Sequence, residues 1–209
     1  MTEGVRAILA SGSPRRRTIL LAAGVEPVIM VPRLDDADVP LAAQDPCALV
    51  MSLAWFKARI VLSQIAANRD VPADLPRWLV AADTVCVQDG RVRGKPTTAD
   101  EARSMLRSVD GREHEVITGV CLVDRQNGAR RLFFDSAAVT LGEMDPHELE
   151  RYVASGEWQG KAGGYNYEDR LAAGWPLRCL GDPQTIMGLP TRLVLPAMGV
   201  GARPGSTVA

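Results

Sequence analysis

The chain has 209 residues, 46% of them hydrophobic, a formal net charge of −1 and a mean hydropathy near zero. That balance excludes a disordered chain, and it supplies no overall positive field for nucleic acid, so a polyanionic ligand has to be caught by a local basic cluster. No apolar run approaches the roughly 18 residues of a bilayer span, Arg15 to Arg17 interrupt what would be a signal peptide, and a cytoplasmic protein without membrane or nucleic-acid partners is expected.

In chain order, Ala7 to Ala10 reads as a buried strand, Ser13 as a helix N-cap with Pro14 at the first helical position, and Gly24 as the helix stop. A second strand is expected over Val28 to Val31. Asp45-Pro46 opens a long amphipathic helix through Leu49, Leu53, Phe56, Ile60 and Ile65, with Lys57 and Arg59 on different faces. Pro72 and Pro76 break the chain before Trp78 to Ala82, an apolar strand that ends at Asp83, and the carboxyl end of a strand is where open α/β sheets bind ligands.

Thr98-x-x-Glu101 is a capping-box pattern, and its helix should run to about Ser108. Glu115 to Val123 and Arg131 to Leu141 read as an antiparallel hairpin around Gln126-Asn127-Gly128. Asp145-Pro146-x-Glu148 caps another helix, closed at Ser155-Gly156, and a glycine-rich stretch from Lys161 to Tyr165 follows. Thr185 to Leu195, with Gly188-Leu189-Pro190 inside it, is expected to turn from strand to helix. The chain reads as one α/β domain over residues 1–198, with a frayed tail over 199–209.

Chemistry concentrates first at Ser11-Gly12-Ser13-Pro14-Arg15-Arg16, where hydroxyls, backbone N–H groups and guanidinium groups meet at a strand-to-helix turn suited to phosphate. As plain solvated charges, Arg15, Arg16 and Arg17 would oppose the helix dipole by about 0.3–1 kcal/mol each, a cost that an anion removes. Gly90-x-x-x-Gly94-Lys95-Pro96 resembles a Walker A loop but is one residue short and has Pro96 where the magnesium-binding hydroxyl belongs. Lys95 is either a point charge fixed by the stiff turn or an ordinary loop lysine. Asp83, after five apolar residues, either binds a cation or is satisfied as a turn aspartate. Asp36-Ala37-Asp38 has the Asp-x-Asp pattern of one phosphatase class without the strand that should directly precede it.

The remaining residues exclude other chemistries. His114 and His147 form no metal pair, and no Gly-x-Ser-x-Gly elbow is present. Cys47, Cys86, Cys121 and Cys179 are far apart and read as reduced, mostly buried thiols. The four tryptophans read as packing residues.

Together, Ser11-x-Ser13-Pro14-Arg15-Arg16, Leu53-Ala54-x-x-Lys57-Ala58, Ala82-Asp83-Thr84-Val85, Gly94-Lys95-Pro96, Gly111-x-x-His114-x-Val116-x-Thr118-Gly119-Val120, Lys161-Ala162-Gly163-x-Tyr165 and Gly188-Leu189-Pro190 resemble, in order, the Maf family of nucleoside triphosphate pyrophosphatases. The resemblance implies a mixed twisted sheet with flanking helices, two lobes around a nucleotide cleft and a relationship to the inosine triphosphate pyrophosphatases. It implies hydrolysis of a nucleoside triphosphate to monophosphate and diphosphate with Mg²⁺ or Mn²⁺, and a homodimer. By motif position, Asp83 is the proton acceptor; Ser11, Ser13, Arg16, Lys57, Lys95 and Lys161 bind phosphate; Asp83 and Asp36 are metal ligands, Asp36 standing where the family usually has glutamate. Arg15 and Thr84 resemble the branch acting on dTTP and UTP, whereas Glu168, Cys86-Val87 and Gly181-Asp182-Pro183 resemble the branch acting on 7-methyl-GTP. Both substrate classes stay open on these residues. The family's links to cell division arrest and septum formation leave a second reading, a nucleotide-binding regulatory protein with little catalysis.

Overall fold

Continuous apolar runs bounded by turn residues build the centre of the molecule. The computed structural model describes residues 4–33, 45–68, 72 and 74–200. β1 (Val5–Leu9), β2 (Val25–Ile29), β3 (Trp78–Gln88), β4 (Arg91–Arg93), β5 (Glu113–Asp124), β6 (Arg130–Leu141) and β7 (Leu177–Leu180) form a seven-stranded sheet in the order β2-β1-β3-β5-β6-β7, with β4 on β3. β1 is parallel to β2 and β3, and the other pairs are antiparallel. The expected mixed α/β sheet with flanking helices is what is found.

The helices are α1 (Pro14–Ala22), α2 (Pro46–Ala67), α3 (Ala99–Val109), α4 (Pro146–Ser155), α5 (Tyr167–Ala172), α6 (Pro183–Ile186) and α7 (Thr191–Ala197). Alternation along the strands sorts them. Leu79, Ala81, Cys121 and Val123 face α2 through Ala54, Ala58 and Val61. Val80, Ala82, Val120 and Leu122 face α1 and α7 through Ile19, Leu20 and Val194. Val116, Val139 and Leu141 pack against α3 and α4 through Leu106 and Leu149. Among the described residues α2 alone is, by length and a mean hydropathy of 1.4, long and apolar enough to span a bilayer, although Lys57 and Arg59 interrupt its apolar run. Its buried face, from Leu49 to Val61, lies instead against the sheet.

Caps were legible. Ser13 accepts from the Arg16 N–H, Asp45 from those of Cys47 and Ala48, Thr98 from that of Glu101, and Asp145 from that of His147. The capping box is displaced by one residue, because the Glu101 carboxylate accepts from the Thr97 N–H at 2.7 Å. β2 starts three residues before the expected strand and contains Pro27; as the edge strand it tolerates a residue without an N–H.

Two expectations are corrected. Asp83 is not at the carboxyl end of β3 but in its middle, because Val85, Cys86 and Val87 continue the buried strand. Thr185 to Leu195 contains no strand: Asp182 caps α6 by accepting from the Gln184 N–H, Gly188 with φ 98° turns the chain, and α7 follows Pro190. β4 was missed although Asp89-Gly90, both at positive φ, is a hairpin signature. All four cysteines are free, Cys86 and Cys121 being buried and the other two half-buried. Of the expected tail, residues 201–209 lie outside the described residues.

Candidate active site

An interruption in the sheet makes the site. On one side of β3, pairing with β1 ends at Leu9–Val80 and pairing with β4 begins at Cys86, so among the described residues no strand covers Ala81 to Val85 there. At that gap a cleft of about 480 Å³ opens, and both Asp83 and Thr84 line it although successive side chains point to opposite sides of a strand. Asp83 meets Lys57 of α2, Nζ to Oδ1 being 2.5 Å, and Thr84 meets Arg16 of α1, which donates from Nη2 to Oγ1 at 3.1 Å. The gap lets groups from both faces of the sheet serve one cavity.

Arg16 is fixed by three elements. Its Nε donates to the Gly188 carbonyl at 2.8 Å, Nη1 to Ser11 Oγ at 3.2 Å, and Nη2 to Thr84. Ser11 thus acts through Arg16, while Ser13, Arg15 and Arg16 line the cleft directly. A methyl group on Gly188 would lie 3.0 Å from Thr84 Oγ1 and 3.1 Å from Arg16 Nε, at a φ that disfavours any side chain. Gly188→Ala is therefore expected to displace both groups and lower kcat/KM on the order of 10²-fold, the cost of a misplacement near 1 Å. Steady-state kinetics with circular dichroism checks this, and an unchanged kcat/KM rules it out.

The opposite wall carries Arg93, Lys95 and Lys161. It is held together where the Gly163 N–H donates to the Gly94 carbonyl at 3.0 Å. Lys161 also lies 3.7 Å from the Asp169 carboxylate. Among the described residues six cationic side chains, Arg15, Arg16, Lys57, Arg93, Lys95 and Lys161, line the cleft beside one carboxylate, Asp83. Glu168 is exposed on α5 and is not among the lining residues, although its neighbour Tyr167 is. Asp36 lies outside the described residues.

Sequence reasoning did not select Arg93, His114, Tyr165 or Asn166, all of which line the cleft. His114 is 4% exposed, its Nε2 lies 2.8 Å from the Tyr165 hydroxyl, and burial lowers its pKa to about 4, so the imidazole is neutral near pH 7. Among the described residues, the buried side-chain nitrogens without a partner are His114 Nδ1, Arg93 Nε and Arg170 Nε, and the first two belong to residues of this cleft. His114 and Tyr165 stood in quoted motifs, which was the available signal; for Arg93 the signal was its place beside Gly94-Lys95.

The Maf-like protein family model matches residues 6–199. The chain belongs to the Maf-like protein family. It is 38% identical over 183 residues to a protein of Rhizobium meliloti (strain 1021) named dTTP/UTP pyrophosphatase, covering 88% of this chain and 86% of that one. It is 37% identical over 190 residues to the dTTP/UTP pyrophosphatase of Chelativorans sp. (strain BNC1), covering 91% and 88%. In this Maf-like protein the matched segments converge: the α1 turn, Lys57, Asp83-Thr84, Gly94-Lys95 and Lys161 all border one cavity.

Proposed function

We propose that this Maf-like protein is a nucleoside triphosphate pyrophosphatase that hydrolyses dTTP and UTP to the monophosphate and diphosphate. The observation that carries the reading is a buried carboxylate, Asp83, 8% exposed, in a cleft that among the described residues is lined by six cationic side chains. A triphosphate tail is the ligand whose charge such a wall balances, and hydrolysis needs one base beside it. The choice of dTTP and UTP over 7-methyl-GTP is supported by the names of the relatives.

Asp83 accepts the proton of the attacking water, and Lys57 at 2.5 Å keeps its carboxylate oriented. Arg15 and Arg16, with the hydroxyl of Ser13 and the N-terminus of α1, hold phosphate oxygens on one wall, and Lys95 and Lys161 hold those of the departing diphosphate on the other. Among the described residues no group of three or more His, Cys, Asp or Glu side chains is present. That donor set does not suit a metal that demands three or four protein ligands. It fits Mg²⁺ or Mn²⁺ held by Asp83, with Asp36 as a second carboxylate, because Mg²⁺ takes one or two carboxylates and completes its shell with water and substrate phosphates. Such a cation, when bound, neutralises phosphate charge and eases the approach of hydroxide.

The test is pyrophosphate release from dTTP, UTP, CTP and 7-methyl-GTP with Mg²⁺ or Mn²⁺. The expected result is highest kcat/KM on dTTP and UTP. Release from none of the four refutes the enzymatic reading, and preference for 7-methyl-GTP refutes the substrate assignment.

A further inference from the structure

Arg93 is a half-buried cation of the cleft with no partner of its own. It ends β4, directly opposite Cys86 of β3 and one residue before Gly94-Lys95. Among the described residues it makes no hydrogen bond or ion pair, and its Nε is closed off from solvent. Lys57 is instead paired with Asp83, Lys161 with Asp169, and Arg16 is held by Gly188, Ser11 and Thr84. A buried N–H without an acceptor costs free energy that an incoming acceptor recovers, and a guanidinium places that N–H in a fork matching two oxygens of one phosphate group. The orphaned donor thus calls for an anion.

The position of Arg93 says which part of the ligand it meets. The base and sugar of dTTP and UTP are neutral, so the anion belongs to the phosphate chain. Hydrolysis to the monophosphate puts the α-phosphorus at Asp83, and Cys86 is three residues farther along β3, about 10 Å of strand. Arg93, opposite Cys86, shares its wall with Lys95 and Lys161, joined by the bond from the Gly163 N–H to the Gly94 carbonyl. That wall receives the departing diphosphate. We infer that Arg93 grips the γ-phosphate side-on, through Nε and Nη, and so selects triphosphates over diphosphates. The inference deepens the pyrophosphatase reading and rests on it. Arg93 stands one residue outside Gly94-Lys95-Pro96, so that motif does not announce it.

The experiment is calorimetric titration, with Mg²⁺ present, of UTP and UDP analogues that carry a methylene between the α- and β-phosphorus. The proteins are the wild type, Arg93→Leu and Arg93→Lys, with thermal unfolding recorded alongside. The wild type should bind the UTP analogue about 10–100-fold more tightly than the UDP analogue, the worth of hydrogen bonds to a charged group. Leucine should reduce that ratio about tenfold or more. Lysine keeps the charge but not the fork, and should recover only part of the ratio. An unchanged ratio in Arg93→Leu overturns the inference, as does a wild type that binds both analogues equally, and full recovery by lysine overturns the side-on contact. If the leucine variant does not fold, the γ-methyl ester of the UTP analogue tests the wild type directly: it should bind at least tenfold more weakly than the parent analogue, and equal binding overturns the inference. A wild type that releases no pyrophosphate from UTP overturns the pyrophosphatase reading beneath it, an outcome read separately from the binding ratio.

Discussion

Asp83→Asn is expected to lower kcat for pyrophosphate release by about 10³-fold or more, at the upper part of the range for a general base, while nucleotide affinity changes by only a few-fold. The amide has the same shape as the carboxylate but cannot take a proton from water. Lys57, which the carboxylate holds at 2.5 Å, then faces a neutral group and keeps its charge for phosphate, so binding persists. Single-turnover kinetics with calorimetric titration of a nonhydrolysable UTP analogue separates the two effects. Turnover within tenfold of the wild type would remove Asp83 from the chemistry. The same variant also discriminates the regulatory reading: a protein acting only by binding nucleotide should keep its cellular effect when Asp83 is an amide.

Gly119→Ala is expected to destabilise the fold by about 3 kcal/mol, at the upper end for overpacking, and to lower Tm by roughly 6–12 °C for a domain of this size. A Cβ on Gly119 would lie 2.4 Å from the backbone carbon of Val50 and 2.6 Å from the backbone nitrogen of Met51. Those atoms belong to α2, so relief requires the whole helix to move off β5 rather than one side chain to rotate. Because α2 also carries Lys57, any variant that survives should lose activity beyond what its unfolded fraction explains. Differential scanning calorimetry measures the shift, and a Tm within 2 °C of the wild type shows that α2 can slide without penalty.

Ser13, Asp45, Thr98 and Asp145 cap helices where the sequence places them, because a cap is a bond between residues two or three apart. The β5–β6 hairpin was legible for the same reason. β7 was not: Leu177 to Leu180 is four residues long and exists as a strand because it pairs with Ala138 to Leu141, far back in the chain. The end of β3 was misplaced because Asp83 looks locally like a boundary. In the structure its buried carboxylate is satisfied by Lys57 from another element, so the strand continues through it.

The sequence alone therefore determined the local pieces and the motif set: the strand-to-helix turn at Ser13, the capped helices, and Asp83, Lys57, Lys95 and Lys161 as chemical groups. Only the tertiary structure decided that Asp83 and Thr84, on opposite faces of one strand, share a cavity where β1 stops and β4 has not begun. It also decided that Arg16 is aimed by the Gly188 carbonyl, 172 residues away, and that the hydroxyls of Thr84 and Thr118 meet across β3 and β5. Caps and turns are short-range and repeat wherever their residues occur, whereas an ion pair across a sheet gap or the direction of a hydroxyl exists only once distant segments are packed together.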